Sequence, residues 1–380
     1  MRFKRTLVAA LVSFSALAGT GAAAAGAAVS DEQIAVTTPP TGSAAWKADT
    51  SLGRPLPDPA TATPAEVAAF FATLTRSQQQ RLARTYPLVV GNLDGAPVAL
   101  RYRANRTAMQ DELEQLDPRD ARAVELHKLL QPGRQILAFD PRSRGLVVEV
   151  YGDLAAAQRI GVVVPGSDMD LAHFDKAVLA AQNLRTEAAA VSPGTPTAVI
   201  AWADYVTPVG LGADAATARL ATAAAPRLQR LMAGLHETTR PDAATALLCH
   251  SYGSVVCGMA APSLPAGAHG PTDLVVLGSP GMDVDSAADL GPGIRLWATA
   301  RNHSDWIGNV PYLEIGGLGH GADPTTSGFG SHVISSAGAS GHNGYFDEGT
   351  ASLRNYADIL LGHYHDVTCA NATTSCMDGV

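Results

Sequence analysis

The sequence predicts an α/β protein with a mostly parallel sheet covered on both faces, preceded by a helical N-terminal segment. Three observations carry this prediction. From residue 135 onward, short and uniformly apolar strand-like runs alternate with helical patterns, as a sheet buried on both faces requires. Residues 63–131 read as helices with no comparable strand run. At 380 residues and 46% hydrophobic, with 16% charged, the chain is too apolar for disorder and long enough to bury a large core.

The elements follow in order. Arg2, Lys4 and Arg5 precede an apolar run from Leu7 to Ala18, and small residues follow from Gly21 to Ala28 with Ala25-Gly26-Ala27 as an A-x-A-like site. Residues 1–28 are therefore expected to be a secretory signal peptide, because the apolar run is shorter than the roughly 20 residues a membrane span needs. Residues 29–62, with Pro39-Pro40, Pro55, Pro57 and Pro59 among Thr, Ala, Ser and Gly, are expected to be a linker. Thr63-Pro64-Ala65-Glu66 places a capping Thr, a Pro at the first helical position and a Glu at the third. Helices are expected over 63–73, 77–84, 102–116 and 118–130, the last stopped by Pro132-Gly133. An α/β domain is expected over 132–366, followed by a cysteine-containing tail over 367–380.

That domain opens with a hairpin, 135–139 and 145–151, around Asp140-Pro-Arg-Ser-Arg-Gly145. Strands are expected at 160–164, 197–202, 245–249, 273–278 and 294–299, with helices at 170–187, 214–236, 252–261 and 349–362.

The most informative stretch is Leu247-Leu248-Cys249-His250-Ser251-Tyr252-Gly253-Ser254. An apolar strand runs directly into Ser251 and an apolar helix starts directly after it. This is the setting of a nucleophile elbow, a sharp turn that lifts the serine Oγ clear of the sheet. Strand and helix pass closely there, so the positions two before and two after the serine must be small. Gly253 meets this need; Cys249 stands where Gly is usual, giving C-x-S-x-G. A serine needs a base, and the base an orienting acid, in the chain order Ser, acid, His for such a turn. Asp305 is the first carboxylate after the strand at 294–299, with Asp283, Asp285 and Asp289 as competitors. His342, between glycines in Ser340-Gly341-His342-Asn343-Gly344, is the expected base, and His320 its rival. His250 adjoins the serine but points the other way along the strand, and is expected to be packed or hydrogen-bonded. An oxyanion needs backbone donors. The expected ones are the N–H of Tyr252 and the N–H of Ser167, with Gly166 as the neighbour that permits close approach.

Taken together, the chain resembles the secreted actinobacterial α/β-hydrolases once grouped as a domain of unknown function. The resemblance covers roughly residues 85–362. It rests on Pro87-Leu-Val-Val-Gly91-Asn-Leu-Asp-Gly95-Ala-Pro97 with Asn105-Arg106, Val164-Pro165-Gly166, and Trp202-Ala-Asp-Tyr205-Val-Thr-Pro208. His250-Ser251-Tyr252-Gly253-Ser254, Gly278-Ser279-Pro280-Gly281, Asp305-Trp306-Ile307 and His342 with Tyr345-Phe346 complete it. It implies an α/β-hydrolase fold and a serine hydrolase triad, and little about substrate.

The expected reaction is cleavage of carboxylic esters through an acyl-enzyme, with no cofactor. An acyltransferase or peptidase would use the same triad, and a non-catalytic binding protein could use the same scaffold. The net charge of −8, with only four Lys and no basic run, argues against nucleic acid and anionic membrane as partners. A small-molecule or lipid ester is the expected substrate, without a stable membrane anchor; oligomeric state is not legible. His363, His365 and Asp366 do not face one way on a helix and give no metal site. Asn105-Arg-Thr and Asn371-Ala-Thr are glycosylation sequons by pattern. Cys249, Cys257, Cys369 and Cys376 allow three pairings. In an oxidising compartment the local pairs 249–257 and 369–376 are expected, the first because the elbow folds the helix start against the strand end.

Overall fold

The computed structural model describes residues 36–265, 270–371 and 376. The expected leader, 1–28, lies outside the described residues. Among the described residues there are ten strands: β1 (Ile136–Asp140), β2 (Leu146–Tyr151), β3 (Arg159–Val164), β4 (Thr197–Ala203), β5 (Ala244–His250), β6 (Pro271–Leu277), β7 (Arg295–Thr299), β8 (Glu314–Ile315), β9 (Leu318–Gly319) and β10 (His332–Ile334). Eight of them form one sheet in the order β1-β2-β4-β3-β5-β6-β7-β10. β2 pairs antiparallel with β1 and β4, and all other neighbours are parallel. β5 lies near the middle, with β3 on one side and β6 on the other.

Each expected strand appears within two residues of its predicted bounds. β10 and the β8–β9 hairpin were not expected, and both are three residues or shorter, too brief for an alternating pattern to register. Both faces of the sheet are buried, as the apolar strands require. The helices Arg219–Thr238 and Gly253–Ala260 cover one face, packing Leu228, Leu231 and Val256 on Val162, Ile200 and Leu247. The helices Asp175–Val191 and Ala351–Leu361 cover the other, packing Leu184, Tyr356 and Leu360 on Val163, Leu248 and Trp297. The helix expected from 214 starts at Arg219, because residues 214–218 belong to a loop whose Ala216 carbonyl accepts from Gly319 N–H at 2.8 Å.

The helical segment forms as expected at Thr63, where the capping box closes in both directions: Glu66 N–H donates to Thr63 Oγ1 at 3.2 Å, and Thr63 N–H to Glu66 Oε2 at 2.8 Å. The helix expected over 102–116 runs from Val98 to Leu113, beginning directly after Pro97; that expected over 118–130 is Ala121–Leu129, capped by Asp120. Pro87 opens an additional short helix, Pro87–Gly91.

The expected linker is a correction. Its residues from 36 onward are part of the fold. A helix spans Ser43–Ala48, and Trp46 is completely buried with Leu56, Val67, Phe71 and Leu100. The Trp46 indole N–H donates to the Pro57 carbonyl at 2.7 Å, and its ring stands edge-on to Tyr86. Composition suggested a flexible spacer, but one large aromatic with a partner for its N–H is enough to anchor it.

This helical layer sits against the outer edge of the sheet. Asn92 and Phe139 exchange two bonds, Asn92 Nδ2 to Phe139 O at 2.7 Å and Phe139 N–H to Asn92 Oδ1 at 3.1 Å. Asn105 Nδ2 donates to Ile136 O at 3.0 Å and to Gly91 O at 3.2 Å. A β-carbon on Gly91 would lie 1.9 Å from Asn105 Oδ1, so that position must be Gly. Asn105 is thus buried and committed to the main chain, which removes its sequon from use. The tail is also less separate than expected. Ala370 N–H donates to Val333 O, Ser335 N–H donates to Thr368 O, and Asn355 holds Thr368 through both of its amide atoms.

Candidate active site

The site is built where β5 turns into the helix Gly253–Ala260. Ser251 occupies that turn with φ 55°, a left-handed conformation that costs a non-glycine residue roughly 1–3 kcal/mol. The surroundings over-determine it. Ser251 N–H donates to Leu277 O at 2.9 Å on β6, and Ser254 Oγ donates to Cys249 O at 3.0 Å. A β-carbon on Gly253 would lie 2.4 Å from Val164 O, so the close passage of helix and β3 admits only Gly. Cys249 is bonded to Cys257, which ties the strand end to the second turn of the helix across the same bend. Cys369 and Cys376 form the second disulfide, and no described cysteine is free.

Ser251 Oγ lies 2.8 Å from His342 Nε2, and His342 Nδ1 lies 2.8 Å from Asp305 Oδ1. A carboxylate at Nδ1 places the proton there, leaving Nε2 free to accept from the serine hydroxyl. The three residues come from the ends of β5 and β7 and from the loop after β10. Burial acts to raise the Asp305 pKa, but hydrogen bonds from His342, from Tyr345 Oη at 2.6 Å and from Ile307 N–H at 2.9 Å outweigh it. The carboxyl is held below its usual range and stays ionised. Gly278, at φ 54°, leaves room for the pair: a β-carbon there would meet His342 Cε1 at 3.0 Å. Asn302 and Ser304 grip the residue before His342, Asn302 Nδ2 donating to Gly341 O and Gly341 N–H to Ser304 Oγ.

His250 packs behind His342, with ring centroids 4.7 Å apart, and its Nε2–H donates to the His342 carbonyl at 2.7 Å. Desolvation, then the neighbouring His342, pushes the His250 pKa down to about 4, so it is neutral at ordinary pH. The rival base His320 is buried elsewhere. Its Nε2 bonds the Ala215 carbonyl at 2.8 Å and its ring stands edge-on to Tyr252. Of the competing acids, Asp289 caps the turn at Ser286, and neither Asp283 nor Asp285 bonds His342 among the described residues.

On the other side of Ser251 lies the loop after β3. Gly166 is pressed against the serine; a β-carbon on it would sit 2.6 Å from Ser251 Cβ and 3.0 Å from Oγ. Ser167 follows it. Neither the Tyr252 nor the Ser167 N–H has a partner among the described residues. The loop is braced by the segment after β4. Tyr205 Oη donates to Pro165 O at 2.6 Å, Asp168 N–H donates to Pro208 O at 2.8 Å, and Thr207 Oγ1 both donates to Met169 O and accepts from Met169 N–H.

Tyr345, Gly278, Tyr205 and Thr207 thus hold the site. All four lie in the motifs on which the resemblance rests, and no local pattern reveals a partner so far along the chain. Ligand-type atoms of Asp358, His363 and Asp366 gather within 4.8 Å of one another at the end of the last helix. Asp358 is already paired with Arg354 at 2.9 Å, which opposes a cation there.

Residues 140–315 match the family model described as alpha/beta hydrolase, a span that holds Ser251 and Asp305 and ends before His342. An uncharacterized protein of Mycobacterium tuberculosis is 29% identical, the match covering 81% of this chain and 57% of its own length. Another uncharacterized protein of the same organism is 34% identical over 53% of this chain and 77% of its own. The chain therefore spans a little over half the length of the first of these relatives. Among solved structures, a thermostable esterase from Pseudomonas putida matches with 15% identity and a TM-score of 0.36, over 69% of this chain and 96% of its own. The esterase LipW from Mycobacterium marinum matches with 12% identity and a TM-score of 0.36, over 73% and 95%. By its sheet order, the turn at Ser251 and the family match, the chain belongs to the α/β-hydrolases.

Proposed function

We propose that this protein is a secreted serine esterase that cleaves carboxylic esters through an acyl-enzyme. The observation that carries the reading is the line from Ser251 Oγ through the His342 ring to Asp305 Oδ1, with 2.8 Å at each of its two hydrogen bonds, based on a serine held at positive φ. Ser251 Oγ attacks the ester carbonyl as its proton passes to His342 Nε2. The carbonyl oxygen becomes an oxyanion facing the N–H groups of Tyr252 and Ser167. Collapse of the tetrahedral adduct breaks the ester C–O bond, and His342 gives the proton to the departing alkoxide. Water then attacks the acyl-serine, losing its proton to His342, and the acid leaves as Ser251 regains a proton. Asp305 stays ionised throughout and stabilises the imidazolium.

Secretion is supported by the pattern of residues 1–28 and by two disulfides, which persist outside reducing compartments. Among the described residues no helix is long and apolar enough to cross a membrane.

A panel of p-nitrophenyl esters from acetate to palmitate tests the reading. The wild type should turn over part of the panel. Ser251→Ala and His342→Ala should each lose on the order of 10⁴-fold or more in kcat, because the two residues act as a unit. Turnover that survives in Ser251→Ala would contradict it.

A further inference from the structure

Eight large apolar side chains stand exposed among the described residues, and six of them, Val209, Leu211, Trp306, Leu313, Ile315 and Leu318, fall in just two segments. Those segments are the loop after β4 and the stretch from β7 through the β8–β9 hairpin. Both leave the carboxyl edge of the sheet, where Ser251 sits. They meet each other: Gly319 N–H donates to Ala216 O at 2.8 Å, and His320 Nε2 bonds Ala215 O. They also meet the site. The Trp306 ring centroid is 4.4 Å from that of His342, and Gly210 N–H donates to the side chain of Asp168, two residues past Gly166. Ile315 and Leu318 are 70% and 54% exposed on a hairpin that presents them to solvent. Large apolar side chains exposed on two adjoining segments cost solubility and mark a place where water is meant to be displaced.

The charge on this face selects what displaces it. Residues 204–218 and 300–325 contain no Lys. Asp214 and Asp323 are paired with Arg219 and Arg301, while Asp168 and Glu314 add negative charge. An anionic surface would be repelled; an uncharged one would not.

We infer that the rim formed by the loop after β4 and the β8–β9 hairpin docks the enzyme on an uncharged lipid–water interface, so that Ser251 takes water-insoluble acylglycerol-type esters from an aggregate. This rests on the serine-esterase reading and adds to it the physical state of the substrate. The rim lies beside the nucleophile, so adsorption brings the site mouth against the aggregate without a separate binding module.

The test follows tributyrin hydrolysis across its solubility limit, with p-nitrophenyl acetate as a monomeric control. It compares the wild type with the triple variant Leu211→Ser/Ile315→Ser/Leu318→Ser. None of these residues belongs to the triad or the oxyanion loop. Wild-type turnover should rise abruptly once droplets form. The triple variant should keep its acetate turnover, lose the rise, and adsorb to a neutral triacylglycerol emulsion roughly 100-fold or more weaker, since three large apolar side chains no longer leave water. A wild type with no rise, or a variant that adsorbs as well as the wild type, would overturn the inference. So would a wild-type dimer that the triple variant converts to monomer with adsorption unchanged, because the rim would then be a contact between copies. Acetate turnover persisting in Ser251→Ala would instead fail the esterase reading, so the two failures are distinguishable.

Discussion

Ser251 is held by the Leu277 carbonyl and Asp305 by the Ile307 N–H, whereas His342 is held by side chains alone, one of them, His250, a layer back from the triad. Its Nε2–H fixes the carbonyl of His342, and its neutral state carries a pH signature. The folded pKa of about 4 lies below the ordinary value of 6.5, so between these limits the unfolded chain binds the extra proton. Stability from this group is therefore complete above pH 6.5 and falls as pH drops toward 4, by about 3 kcal/mol in all. Burial lowers the His320 pKa as well, and adds in the same direction. In urea titrations at pH 7.5 and 4.5, His250→Gln should lose markedly less stability on acidification than the wild type. An identical loss would show that His250 is not the group responsible. That Ser251, Asp305 and His342 would lie together was legible, because a strand-to-helix turn, a carboxylate after a strand and a His among glycines stand in a fixed order. Tyr345 and Gly278 were not, because their work is defined only by where Asp305 and His342 arrive in space.

Among the elements, the bend between β5 and the helix Gly253–Ala260 concentrates the most constraint. The sequence departs there from the usual Gly at position 249, and the disulfide to Cys257 accounts for the departure: the small side chain is kept, and a covalent tie is added. Closing so short a loop is worth roughly 2–3 kcal/mol. The double variant Cys249→Ala/Cys257→Ala should lower Tm by several degrees and reduce kcat more than it changes KM, because the serine turn loosens while the surrounding loops remain. A variant with unchanged Tm and kcat would contradict a bracing role. Strand bounds were legible to within two residues because apolar runs bounded by polar turns have few alternatives. Helix starts were less so. Residues 214–218 carry a helical pattern, yet they serve the loop that meets Gly319, and tertiary contact overrides propensity there.

For the whole molecule, the N-terminal layer is the largest departure from sequence reading. It leans on β1 through Asn92 and Asn105 and on the helix Arg219–Thr238 through the Ala62 carbonyl, so it supports the sheet edge and a covering helix. Its core is anchored by Trp46, in a stretch whose Pro, Thr and Ala content reads as a spacer. Window composition cannot see a single buried ring. Trp46→Ala should therefore cost about 3–5 kcal/mol in unfolding free energy, as large buried aromatics do, with kcat preserved well below the melting temperature. A cost below about 0.5 kcal/mol, usual for surface positions, would return the segment to a linker.

In the proposed reaction one serine, positioned by one strained turn, does the chemistry. Fluorophosphonate labelling followed by peptide mapping by mass spectrometry reads it most directly. A single phosphonyl adduct is expected on the peptide containing Ser251, and none in Ser251→Ala or in protein unfolded before labelling. An adduct on Ser254 or Ser167, or labelling of Ser251→Ala at the wild-type level, would contradict it.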